Sequence, residues 1–161
     1  SGDEIHTDKY GRIRVQFHWD RYGKKNEKSS CFVRVAQSLA GSNWGSVFVP
    51  RIGMEVVVQF LDGDPDRPLV TGAVYNADNM PPWALPANMT KSGLLTRSSK
   101  SGQTANANEL SFEDKKGEEK ITFHAEKDFL REVGYTDFEC YNCLPESCPQ
   151  DLDAAMRTMR S

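Results

Sequence analysis

The chain has 161 residues, 38% hydrophobic and 27% charged, which leaves room for one domain with an extension or for two small units. Its formal net charge is −3. The acidic excess lies in residues 134–161, where Asp137, Glu139, Glu146, Asp151 and Asp153 face only Arg157 and Arg160. The remainder is balanced and lacks the electrostatic footprint of a nucleic-acid binder.

No apolar run approaches the roughly 20 residues of a membrane-spanning helix, so no stable membrane insertion is expected. The polar start Ser1-Gly2-Asp3-Glu4 shows no signal-peptide pattern, so the four thiols Cys31, Cys140, Cys143 and Cys148 are expected to be reduced. The composition is lean in core formers, which points to burial shared between subunits.

In residues 12–19, Ile13, Val15, Phe17 and Trp19 alternate with polar residues, the period of a strand with one buried face. A polar loop, 24–30, leads to a second strand at 31–36, in which Cys31 reads as a small core residue. A Ser/Gly/Asn-rich loop runs to Trp44-Gly45. A short strand at 46–49 stops at Pro50. Residues 54–61 present Met54, Val56, Val58 and Phe60 on one face. The Gly63 and Pro65 turn then leads to a last strand at 68–75. Five short strands at this spacing predict an all-β, small OB-like barrel with Ile13, Val15, Phe17, Trp19, Val56, Val58 and Phe60 in its core.

Residues 77–108 read as an extended linker, because Pro81, Pro82 and Pro86 exclude helix and 90–108 is mostly polar. A second β pattern follows, Leu110 and Phe112 in one strand and Ile121 and Phe123 in the next, joined through Gly117. A lone hairpin is marginal in water. These four side chains need a partner surface, and other copies of the same chain are the economical source.

The motifs carry a resemblance. Asp8-Lys9-Tyr10-Gly11-Arg12-Ile13-Arg14-Val15-Gln16-Phe17-His18-Trp19-Asp20 resembles the opening of the barrel domain in type VI secretion spike proteins, the valine–glycine repeat (VgrG) family, which is similar to the central spike of contractile phage tails. Trp44-Gly45 with Pro50-Arg51-Ile52-Gly53-Met54-Glu55, and Asp62-Gly63-Asp64-Pro65-Asp66-Arg67-Pro68 with Gly72-Ala73-Val74-Tyr75-Asn76, resemble the next two blocks. Leu110-Ser111-Phe112-Glu113-Asp114-Lys115-Lys116-Gly117 with His124-Ala125-Glu126 looks like the first stalk strands.

The resemblance implies a homotrimer whose barrels surround a β-prism needle, with a tube protein at the base, a tip protein above and effectors as cargo. It also implies base domains upstream of this chain. Assembly in the bacterial cytoplasm and delivery outside the cell through the apparatus, without a signal peptide, follow from the same likeness. Residues 134–161 depart from the stalk pattern.

Candidate chemistry is sparse. His6, His18 and His124 lie far apart and fit no triad or paired-histidine motif. Asp62, Asp64 and Asp66 lack the closing Glu of a calcium loop and read as a solvated turn. Cys140, Cys143 and Cys148 could supply three zinc thiolates but have no evident fourth ligand, so no metal or cofactor is expected.

Two other classes are the alternatives. A spike-associated effector or lysozyme-like hydrolase fragment needs two carboxylates on a cleft scaffold, and residues 76–108 are too short and polar to build one. An OB-fold single-strand nucleic-acid binder needs a basic aromatic face, for which Lys24, Lys25, Lys28 and Tyr22 are a thin basis. The expected organisation is a lead-in at 1–7, a barrel at 8–76, a linker at 77–108, initial stalk strands at 109–133 and a poorly ordered tail at 134–161. The expected role is mechanical and non-catalytic.

Overall fold

The computed structural model describes residues 4–134. The cysteines proposed as weak zinc ligands, Cys140, Cys143 and Cys148, lie outside the described residues. The chain divides into a unit Ser1–Glu126 and a unit Lys127–Ser161. The first unit holds two three-stranded sheets and no α-helix among the described residues. In the second, the described residues 127–134 form no strand.

The first sheet has the order β1-β3-β2, with β1 Arg34–Val35, β2 Glu55–Phe60 and β3 Pro68–Val74. Strand β1 lies parallel to β3, pairing Arg34 with Leu69 and Val35 with Val70. Strands β2 and β3 form an antiparallel hairpin whose register shifts between Val57 and Val58, leaving Thr71 as the extra residue of a bulge. The turn between them, Leu61–Gly63, has left-handed Asp62 (φ 55) and Gly63 (φ 72) and is closed by Leu61 N donating to Arg67 O at 3.0 Å. The acidic residues expected to form a solvated turn serve this turn: Asp62 pairs with Arg67, and the Asp64 carboxylate accepts the Asp66 amide at 2.9 Å.

Two of the five expected strands are not regular strands here. Residues 12–19 make one antiparallel bridge, Ile13 to Val33, with amide bonds of 3.0 and 2.7 Å. Two residues on, the Ser30 hydroxyl accepts the Val15 amide at 2.9 Å and so replaces the next rung of the ladder. At 46–49 the Gln37 side-chain amide does similar work. Its Nε2 donates to Phe48 O at 3.0 Å, and its Oε1 accepts Phe48 N at 2.9 Å.

The core is small. Ile13, Val15, Val33 and Val70 are buried, with Phe17, Val35, Val49, Val56 and Val58 packed against them. Phe60 is half-buried and stacks on Phe17 at 6.1 Å. Trp19, expected in this core, is 68% exposed. The extended run ends at Phe17, where Asp20 N donates to Phe17 O at 3.1 Å and turns the chain, so period two no longer applies to Trp19. Its ring instead stacks on the outside of Phe17 at 4.5 Å. Cys31 is also exposed, because the chain bends there and the Ser30 hydroxyl caps the Cys31 carbonyl at 2.7 Å.

The second sheet is an antiparallel meander, β4 Lys91–Leu95, β5 Glu109–Glu113 and β6 Lys120–His124, in chain order. Strand β4 corrects the expected linker, which was to run to residue 108: all five of its residues pair with β5. Gly93 permits this. It has φ 146, and a Cβ there would stand 2.2 Å from Leu110 O and 2.7 Å from Ser111 Cα, so only glycine lets the strands close.

Candidate functional site

Period two sorts the second sheet into unlike faces. Cross-strand register sets Leu94 opposite Leu110 and Leu110 opposite Phe123. A second row runs from Ser92 to Phe112 to Ile121. All five apolar side chains therefore share one face. Leu110 is half-buried, whereas Leu94, Phe112, Ile121 and Phe123 are exposed, Phe123 at 68%. No second layer of the described chain covers them.

The opposite face carries Leu95 but is otherwise polar, and Lys91, Glu109, Ser111 and Glu113 find partners within the chain. Lys91 Nζ lies 2.8 Å from Glu109 Oε1 and 4.6 Å from the centre of the Trp83 ring, so the segment preceding β4 lies against this side. Ser111, buried, donates to Glu109 Oε1 at 2.5 Å. Thr90 Oγ1 donates to Glu113 Oε1 at 2.5 Å. Hydrogen bonds from Lys91 and then Ser111 hold the Glu109 carboxyl below its usual range against the opposing effect of burial. The Thr90 hydroxyl does the same for Glu113. The chain thus pairs Lys91 with Glu109 on one side and leaves its apolar side bare, an arrangement suited to association.

The sequence singles out four of these apolar residues, Leu110, Phe112, Ile121 and Phe123, and the register places all four together. It misses Leu94, Gly93 and Trp83. The pair Leu94-Leu95 masks the alternation of β4. The available signal was Gly93, an isolated glycine beside the apolar pair Leu94-Leu95, where a close backbone approach is expected.

The histidines do other things. His6 stacks on Phe32 at 5.9 Å, His18 lies 3.8 Å from Glu55 Oε1 on the surface, and His124 ends β6. Among the described residues, no group of three or more His, Cys, Asp or Glu side chains is placed to hold a metal ion. No helix of the described residues is long and apolar enough to cross a membrane.

Comparison with known proteins matches both halves. Residues 3–75 match the type VI secretion system/phage-baseplate injector OB domain, which takes in most of the segment expected as a separate lead-in. Residues 92–137 match the bacteriophage T4 gp5 C-terminal trimerisation domain, which begins within β4. Three type VI secretion system spike proteins of Pseudomonas aeruginosa, VgrG1b, VgrG1a and VgrG1c, are each 60% identical over 126 residues, 78% of this chain. The chain spans 17%, 20% and 17% of their respective lengths. With residues 3–75 matching an injector OB domain, residues 92–137 a trimerisation domain, and 60% identity to three VgrG spike proteins, the chain belongs to the VgrG family of type VI secretion spike proteins.

Proposed function

We propose that this chain is a structural, non-catalytic element of a contractile injection spike, and that three copies associate through the apolar face of the second sheet. One observation carries the reading: Leu94, Leu110, Phe112, Ile121 and Phe123 form a continuous apolar face that is not covered by the chain's own described residues. The match to a trimerisation domain supports three as the number of copies. Converging three such faces creates a dry axial core, and a prism with such a core resists bending because every strand is held on both sides.

In this role the chain works with a tube protein at its base, a tip protein at its point and effectors as cargo. It is assembled in the bacterial cytoplasm and leaves the cell through the apparatus. Sedimentation of the 161-residue chain beside a version continued by a full-length stalk tests the assembly. The longer chain sediments as a stable trimer and the shorter one as a monomer or weak trimer; a longer chain that stays monomeric refutes the reading.

A further inference from the structure

Away from the apolar face, the barrel half is joined to the second sheet by a compact polar contact. Lys100 and Ser101 both adopt left-handed backbone, φ 59 and φ 66, a conformation that non-glycine residues keep only when the surroundings hold it. Successive amides in such a bend make a cradle for an anion. Here one carboxylate fills it. Lys100 N donates to Glu4 Oε2 at 2.6 Å, and Ser101 N donates to Glu4 Oε1 at 3.1 Å.

Glu4 is tied to the barrel by its own carbonyl, which accepts Ile52 N at 2.9 Å. The neighbouring Arg51 completes the contact. Its Nη1 lies 4.0 Å from Glu4 Oε2, and its Nη2 donates to Arg97 O at 2.6 Å, so the loop is gripped at both ends. The Arg51 and Glu4 side chains are only 25% and 26% exposed. Arg51 Nη1 is buried without a hydrogen-bond partner, which leaves the Glu4 charge as its compensation. The amide of Ser101 and then that of Lys100, with the charges of Arg97 and Arg51, hold the Glu4 carboxyl below its usual range against partial burial.

We propose that Glu4 and Arg51 form a latch that clips loop 97–101 onto the barrel and fixes the second sheet to it independently of the segment 77–90. The latch closes within one chain, so it stands or falls separately from the trimer.

The test uses the full 161-residue chain by amide hydrogen exchange, ¹⁵N relaxation and limited trypsin digestion. Glu4→Ala is expected to speed exchange at Lys100 and Ser101 and cleavage after Arg97 and Lys100 by tenfold or more. The tumbling times of β2 and β5 should separate, while the Ile13 and Val33 amides keep their protection. Arg51→Met is expected to do the same, and the double variant to be no worse than the more severe single one. Unchanged exchange at Lys100 and Ser101, or common tumbling of both sheets in Glu4→Ala, overturns the latch. Should Glu4→Ala also loosen the barrel, Glu4→Gln decides. Loss confined to Lys100, Ser101 and the cleavage sites supports the latch, and loss spread evenly over Ile13 and Val33 overturns it.

Discussion

Replacing Phe123 with aspartate separates assembly from folding more cleanly than any other change on the apolar face. Phe123 is 68% exposed in the single chain, so the lone chain gains little from its ring. Of roughly 200 Å² of aromatic surface, about 140 Å² remains to be covered on association. At roughly 25 cal/mol per Å² this is about 3.5 kcal/mol per chain, and about 10 kcal/mol for three chains. An aspartate in the same place must also lose its water or repel its two equivalents at the axis, adding several kcal/mol. With each 1.4 kcal/mol worth about tenfold in an equilibrium constant, the trimer of the stalk-extended chain should disappear at micromolar concentration. Sedimentation equilibrium reads the assembly, and thermal melting followed by circular dichroism reads the barrel. The expected result is a monomer whose barrel melts within a few degrees of the parent. A Phe123→Asp trimer as tight as the parent refutes the axial placement of this face.

Three further outcomes follow from the packing and the charges. Val70 is 1% exposed between β1 and β2, so Val70→Asp should abolish the cooperative melt of the barrel, since a buried unpaired charge costs several kcal/mol. Gly93→Ala should loosen the second sheet by about 1–3 kcal/mol, seen as faster amide exchange across β4 and β5, while Gly72→Ala, whose added Cβ meets open space, should be nearly silent. The Glu109 carboxyl titrates below its usual range because of Lys91 and Ser111; its contribution to stability is therefore present above the ordinary carboxylate range and is lost as pH falls through the lowered value. Lys91→Met should move the Glu109 carboxyl titration, followed by carbon-detected NMR, upward, and an unmoved titration would show the ion pair to be inert.

The sequence was readable where a segment is a regular strand with two different faces. Val56, Val58 and Phe60 alternate with the exposed Val57 and Gln59, and Leu110, Phe112, Ile121 and Phe123 fall on one side as their spacing requires. It was unreadable where side chains take over main-chain pairing. Ser30 and Gln37 accept and donate in place of a neighbouring strand, so 12–19 and 46–49 have strand composition without a strand ladder. Trp19 and Cys31 sit one turn or bend beyond the point where alternation holds. Strand β4 was hidden because adjacent Leu94 and Leu95 break its pattern and because its register depends on the missing side chain of Gly93. The contact of Glu4 with Lys100 and Ser101 joins distant parts of the chain, and no local period signals it.

The meander β4-β5-β6 pairs its described strands within one chain, and on its polar side Lys91 is paired with Glu109. Order of events follows from this. Strand pairing is an intramolecular step whose rate is indifferent to how much protein is present, whereas meeting other copies slows as the solution is diluted. Between the two steps each copy carries a greasy flank and an outer edge of β6 that no described strand pairs, which any extended chain nearby could extend. For the proposed trimer, the interval is shortest where copies are made close together, so the spacing of newly made chains sets how long that flank stays bare.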